Sequence, residues 1–421
     1  MRGELHYDVV VIGAGTAGLT AGARLAEGGA RVCVLAKGVG STHLAPGTID
    51  VLGYAPDRVE EPGSALAQLA RERPDHPYAL IGPEAVEPAL KWLTDAVAAG
   101  PHPGYAYVGG LQRNFLLPTA VGVVRPSAVV PETMAAGDVS KGGSVCIVGP
   151  RLQRDFFATL CAANLNGAGF EASAVELSVE MRRPDANTLA FARRLDDPAF
   201  RATMVADVAP RLGSAERVGI PAVLGLRDPH GAWQDLQERV GRPVFEIPTL
   251  PPSVPGMRLF EALRAALRRA GGRLVLGAEV TSVERDGGRV TAVVTHAAGH
   301  DVRYASRWVV LASGGFTSGA IELDSDWVVR EKVLGLPVRG APQPGEPRFA
   351  PEYFGEQPMA RVGVAVGPGL RAEGAENVFV AGAALPGAAP WREGSGEGIA
   401  LTSGCRAAEL VLAEEGAKAA A

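Results

Sequence analysis

Apolar residues gather in short unbroken blocks near both ends of the chain, with looser, helix-spaced patterns between them. The first block, Val9-Val10-Val11-Ile12, follows Asp8 and runs straight into Gly13-Ala14-Gly15-Thr16-Ala17-Gly18. A continuous run of this length predicts a strand buried on both faces. Leu19 to Ala26 has apolar residues at helical spacing and stops at Gly28-Gly29, and Arg31 to Leu35 supplies a second buried strand. A βαβ unit is therefore predicted, with a glycine-rich turn between its first strand and its helix.

The same theme returns after Pro255. Leu259 to Ala270 reads as a helix closed by Gly271-Gly272, and Leu274-Val275-Leu276 with Val280 reads as a strand. A hairpin over Val283 to Val290 is predicted to turn at Asp286-Gly287. Ala305 to Phe316 and Glu376 to Gly382 are further buried strands ending in small residues, and Gly394-Ser395-Gly396-Glu397-Gly398 opens the last helix. Between Glu60 and Leu250 the pattern is mixed, without an internal repeat. Ser144 to Pro150 reads there as a strand and Gln153 to Asn164 as a helix, a second α/β unit whose Gly149-Pro150 turn lacks phosphate-binding glycines.

These blocks predict an α/β chain: a Rossmann-like FAD/NAD(P)-binding fold, discontinuous in sequence, with an inserted α+β substrate or cap domain. The expected boundaries are 1–84, 251–320 and 372–421 for the nucleotide-binding parts, 85–250 for the insert and 321–371 for its return. A simple dehydrogenase would keep its nucleotide unit contiguous, so the interruption favours a flavin.

The Gly13–Gly18 turn carries the clearest chemistry. A nucleotide pyrophosphate needs free backbone N–H groups and the positive end of a helix. Gly13 permits the turn, Gly15 removes a Cβ from the path of the phosphates, and Gly18 lets helix and strand pack closely. The acid that usually ends the second strand and holds an adenosine ribose is absent. Ala36 stands there, followed by Lys37, which is either a phosphate partner or a solvated strand-end charge.

Composition narrows the partners. A net charge of -5 points to no nucleic-acid or polyanion partner, and only Lys37, Lys91, Lys141, Lys332 and Lys418 are lysines, so abundant arginine marks no particular site. Cys33, Cys146, Cys161 and Cys405 form no CxxC, so no metal or iron–sulfur site is expected and the thiols read as reduced and buried. No apolar run approaches the ~18 residues of a membrane span, and no secretory leader precedes the first strand.

Together the segments resemble the two-domain flavoproteins related to succinate dehydrogenase and fumarate reductase. Gly314-Gly315 looks like their second motif, ATGG, and the strand into Gly382 like the one that meets the flavin. More narrowly, Ser41 to Asp50, His76 to Pro83, Pro248 to Leu259 and Val310 to Gly319 resemble the B subunits of anaerobic glycerol-3-phosphate dehydrogenase. This resemblance implies a flavin-dependent component of a respiratory enzyme that oxidises sn-glycerol 3-phosphate to dihydroxyacetone phosphate. It also implies a larger flavoprotein partner, the A subunit, and an iron–sulfur partner, the C subunit, that passes electrons to menaquinone. A cytoplasmic location at the inner face of the membrane, through those partners, follows from the same resemblance.

The family resemblance implies FMN, whereas the pyrophosphate fingerprint implies FAD. Expected cofactor contacts are Gly13, Ala14, Gly15, Thr16, Ala17 and Gly18, then Lys37, Ser41, Thr42 and Gly47, then Val280, Ala312, Ser313, Gly314, Gly382, Gly396 and Gly398. Arg258, at a helix start after Pro255-Gly256, is the candidate for the substrate phosphate, with an ion-paired helix arginine as the other reading. His43 either tunes the flavin and moves a proton or is a structural histidine. His76 reads as a turn or packing residue, and Asp50 and Glu397 as either catalytic bases or ordinary surface acids, which their spacing does not distinguish. An independent soluble flavin oxidoreductase of a hydroxy or dicarboxylic acid is the alternative function.

Overall fold

The computed structural model describes residues 4–151, 153, 155–178, 187–297, 299–343, 345–353 and 355–420. Strand β1 (Glu4–Ile12) lies near the middle of the main sheet, which is why Val9, Val10 and Val11 are wholly buried. Helix α1 (Thr16–Glu27) leads from it to β2 (Val32–Ala36), which pairs with β1 in parallel. Helices α2 (Pro77–Ile81) and α3 (Val86–Ala98) follow.

The insert then builds its own parallel sheet from β3 (Val145–Pro150), β4 (Ala172–Leu177), β5 (Arg217–Pro221) and β6 (Val244–Ile247), in the order β6-β5-β3-β4. One apolar core covers each face: Ile147, Cys161 and Phe245 on one, and Val148, Phe200 and Met204 on the other. Two short antiparallel ladders, Tyr107–Gly109 with Val129–Pro131 and Phe115–Pro118 with Val124–Ser127, join this sheet to the first domain.

Helix α4 (Val254–Arg269) returns the chain to the main sheet and packs on α1. Strands β7 (Arg273–Leu276), β8 (Val280–Asp286), β9 (Arg289–Ala297), β10 (His300–Leu311) and β11 (Val378–Val380) complete it in the order β7-β2-β1-β10-β9-β8. Strand β10 organises the sheet. One edge pairs with β1 from Arg303 to Leu311, while the other pairs with β9 antiparallel at its start and with β11 in parallel at its end. Helix α5 (Gly396–Ala420) closes the chain against α1.

Several expectations shift. The helix predicted over Gln153 to Asn164 runs from Ala158 to Gly167, and Arg154 lies outside the described residues. The strand predicted from Leu274 through Val280 is two strands, divided where Ala278 N–H bonds to the Ala36 carbonyl at 3.0 Å. Val86–Ala98, expected inside the insert, buries Val86, Leu90 and Leu93 in the first domain's core. Its apolar stripe alone does not say which of two cores receives it.

Asn377 joins three of these strands. Its amide donates to the Val290 and Arg307 carbonyls, each at 2.8 Å, and its oxygen accepts from Val290 N–H at 2.8 Å, with the residue 1% exposed. Asn377→Ala strands three buried backbone groups and is expected to cost about 2–4 kcal/mol. The thermal midpoint should fall by several degrees; an unchanged midpoint means the strands are held together without this side chain.

Candidate functional site

Parallel strands end on the same edge, so the turns after β1, β2, β10 and β11 come together where ligands bind in open α/β sheets. Gly13 has φ +112°, and a Cβ there would collide with the Ala312 carbonyl at the end of β10. A Cβ on Gly18 would strike the Gly13 carbonyl. At Gly15, by contrast, a Cβ would meet nothing within 4 Å and would instead project into open space beside the first turn of α1. Gly15 also caps that helix without any side-chain hydrogen bond, leaving the first N–H groups for a ligand. Two of these glycines are demanded by packing and the third keeps space clear, the arrangement that a pyrophosphate requires.

The other expected contacts gather around this turn. The loop after β2 crosses it at Gly40, whose Cβ position is 2.9 Å from Gly15 N. Ser41 and Thr42 form a short 3-10 turn there, and Thr42 Oγ1 lies 3.4 Å from Thr16 Oγ1. Gly47 has φ +83° and packs on Pro255. Gly382 touches Ala17, and its N–H donates to Ser403 Oγ at 2.8 Å. Ser313, between Ala312 and Gly314, has a buried hydroxyl without a partner. Val280 starts β8 beside the end of β2, partly buried. Lys37 does not join the group: its ammonium is exposed and paired with Glu279 at 3.0 Å, the solvated alternative.

Glu397 and Asp50 are not surface acids. Thr16 Oγ1 donates to Glu397 Oε2 at 2.7 Å, and Gly398 N–H donates to the Asp50 carbonyl at 3.0 Å, which draws the 394–398 loop onto α1 and the Thr48–Asp50 segment. Burial pushes the Glu397 carboxyl above the usual carboxylate range, assisted by the Asp50 charge and opposed by the Thr16 hydrogen bond and Arg125. Asp50 is 2% exposed. It accepts from Thr48 Oγ1 at 2.9 Å, from Ser127 Oγ at 2.6 Å and from the Arg125 guanidinium.

A cavity of about 270 Å³ opens next to this cluster, between the 44–48 loop, the 117–127 hairpin and the 248–251 loop. Leu44, Thr48, Arg125, Ser127, Thr249 and Pro251 are among its lining residues. Arg125 carried no sequence signal, since Val124-Arg125-Pro126-Ser127 matches no motif and its partner Asp50 lies far away in the chain.

Arg258 is elsewhere. It is 2% exposed and bonded to Glu246 at 2.8 and 3.2 Å and to the Leu224 carbonyl at 2.9 Å, with its guanidinium over the Tyr105 ring. The ion-paired reading holds, and the candidate phosphate arginine becomes a tie between α4 and β6. His43 sits on the Ser41–Leu44 turn with its ring edge on Phe260, 4.9 Å between centroids. Its Nε2 is buried and without a partner, and burial lowers its pKa against a small opposing pull from Glu261. His76 is the turn residue expected: its Nδ1 accepts from Tyr78 N–H at 3.1 Å and so caps α2.

Among the described residues, no group of three or more His, Cys, Asp and Glu is placed to hold a metal ion, and no helix is long and apolar enough to cross a membrane. All four cysteines are buried and unpaired.

Comparison with known proteins fits this geometry. The FAD binding domain family matches residues 8–399. The B subunit of anaerobic glycerol-3-phosphate dehydrogenase from Pectobacterium atrosepticum is 32% identical over 431 residues, covering 97% of this chain and 99% of its own. The chain belongs to this B-subunit family of FAD-binding flavoproteins. A probable B subunit of the same enzyme from Halobacterium salinarum is 32% identical, covering 95% and 96% of the two chains. Among solved structures, Mycobacterium smegmatis Sdh1 in complex with UQ1 covers 98% of this chain and 69% of that one, with 13% identity and a TM-score of 0.44. Of the two flavins expected, the family match selects FAD, whose pyrophosphate suits the Gly13–Gly18 turn; FMN has none. The family's name, which makes its members B subunits, marks it as part of a multisubunit enzyme.

In this member of the family, the segment that leads into Glu397 and Gly398 at the start of α5 is held by Glu393. Its carboxylate accepts from Arg73 at 3.0 Å, Ala389 N–H at 3.1 Å and Ser395 Oγ at 3.0 Å, and lies 3.2 Å from His76 Nε2. Burial alone would raise this carboxyl, but His76, the Ala389 amide and Arg73 together hold it at about 2. A depressed carboxylate stabilises the fold fully above its ordinary value of 4.5 and loses that contribution as pH falls from about 4.5 to about 2. The loss should be about 3 kcal/mol, read as acid destabilisation of the wild type by denaturant titration. Glu393→Gln should flatten that limb of the pH–stability curve; an identical limb in both proteins would remove Glu393 from the account.

Proposed function

We propose that this chain is the FAD-bearing B subunit of a respiratory complex that oxidises sn-glycerol 3-phosphate to dihydroxyacetone phosphate. Its partners in this reading are a larger flavoprotein, the A subunit, and an iron–sulfur protein, the C subunit, which receives the electrons and delivers them to menaquinone. The assembly lies on the cytoplasmic face of the membrane through those partners. The observation that carries the reading is the Gly13–Gly18 turn, which leaves open space at Gly15 before the first N–H groups of α1, in a chain aligned over 97% of its length with the B subunit of the Pectobacterium atrosepticum enzyme.

The chain's own groups divide the work. The N–H groups of the Gly13–Gly18 turn and the start of α1 hold the pyrophosphate, and the segments at Ser313–Gly314 and Gly382 and the first turn of α5 at Gly396–Gly398 close around the rest of the cofactor. FAD supplies the hydride acceptor. The substrate hydroxyl also has to lose a proton. His43, on the turn that carries Leu44 of the cavity wall, is the candidate acceptor in this reading: burial lowers its pKa and its Nε2 has no protein partner, and the turn must shift to bring that enclosed nitrogen to the substrate. The apolar walls of the cavity, Leu44, Leu117 and Pro251, limit water around the reacting carbon.

The chain should be purified alone and together with its two partners, then mixed with glycerol 3-phosphate under anaerobic conditions. The assembled complex is expected to bleach its flavin absorbance and to turn over with a menaquinone analogue, whereas the isolated chain shows little turnover. An assembled complex whose flavin stays oxidised contradicts the substrate assignment. Full turnover by the isolated chain contradicts the partner dependence and favours an independent oxidoreductase.

A further inference from the structure

Among the fourteen residues around the cavity, Arg125 alone is charged. Nine others are aliphatic or proline: Leu44, Pro46, Leu117, Pro118, Ala120, Val121, Pro248, Leu250 and Pro251. The remaining four, Thr48, Thr119, Ser127 and Thr249, bear hydroxyls. No carboxylate lines the wall. With no carboxylate in the wall and apolar side chains around it, this half-exposed guanidinium is the one group of the cavity that attracts an anion, with water still screening part of that attraction.

Arg125 is also held in place. Its guanidinium is paired with Asp50, and among the described residues no other acceptor bonds it, so its remaining N–H donors are unspent while 42% of the side chain stays exposed. Asp50 is buried behind it and already saturated by Thr48 Oγ1 and Ser127 Oγ. This carboxylate therefore fixes the fork rather than competing for the space in front of it.

The geometry points to Arg125 as the residue that binds the anionic end of the substrate, with Asp50 as its positioning residue and the apolar wall facing the rest of the molecule. The ligand class that fits is a small phosphomonoester with its charge at one end only. A dicarboxylate carries a charge at each end and would leave one of them against Leu and Pro side chains, at a large desolvation cost. The assignment rests on the functional reading above and sharpens it, because it moves phosphate recognition from α4 to the 117–127 hairpin.

Arg125→Gln in the FAD-loaded complex is expected to raise KM for glycerol 3-phosphate about a hundredfold, with flavin content unchanged and kcat within a few-fold of wild type. An unchanged KM overturns the assignment. Arg125→Lys keeps the charge and loses the fork, so its KM should rise about tenfold; this variant decides the question if the glutamine form fails to load flavin, and a wild-type KM for it overturns the proposal. Calorimetric titration of the same complexes with inorganic phosphate separates the two readings. Should the wild-type complex leave glycerol 3-phosphate unoxidised, the functional reading fails. Phosphate that then binds wild type and loses at least tenfold in affinity to Arg125→Gln still supports the anion site, and equal binding to both overturns it.

Discussion

Five parallel strands finishing at one edge of a sheet leave room for a cofactor only if the backbone turns there come unusually close to one another. The approach of Gly13 to the Ala312 carbonyl is that constraint. It joins the turn after β1 to the end of β10, sets the angle at which α1 leaves the sheet, and places the first N–H groups of the helix over open space at Gly15. Strand β10 can serve this purpose because it is long enough to pair along one edge with β1 while sharing its other edge between β9 and β11. Residues separated by some three hundred positions in the chain thereby meet at one site.

Three buried carboxylates, two near this edge and one in the insert, are each tied to partners, and each tie holds a segment in place. Glu393 fixes the start of the last helix, Asp50 fixes Arg125 and the segment after Gly47, and Glu246 fixes Arg258 between the insert and α4. Removing one member of such a group leaves its partner charged and unsolvated, so the effect on stability exceeds what the pair itself contributes. The groups left untied are different in kind. His43 Nε2 and the Ser313 hydroxyl, on two of the segments that meet at the cofactor turn, are among the buried polar groups without a protein partner.

The nucleotide cradle was legible in the sequence because its parts are covalent neighbours. Val9 to Gly18 contains the strand, the turn and the helix start, and each glycine has a local reason to be glycine. Residue roles that depend on distant partners were not legible in the same way. Arg258 follows a Pro-Gly bend at a helix start, which looks like an anion site until Glu246 is seen beside it. Glu397 sits among glycines and reads as exposed until Thr16, from the other end of the chain, is found 2.7 Å away. Arg125 had no local signal at all: its meaning comes from Asp50 behind it and from the absence of any other charge on the cavity wall.

The account stands on a dinucleotide form of flavin held by main-chain amides. Heating the purified chain, or the assembled complex, to release its chromophore and weighing it by mass spectrometry tests this directly. The mass should be that of FAD at one per chain of this sequence. A preparation that yields FMN from this chain, or no flavin under any loading condition, would contradict it.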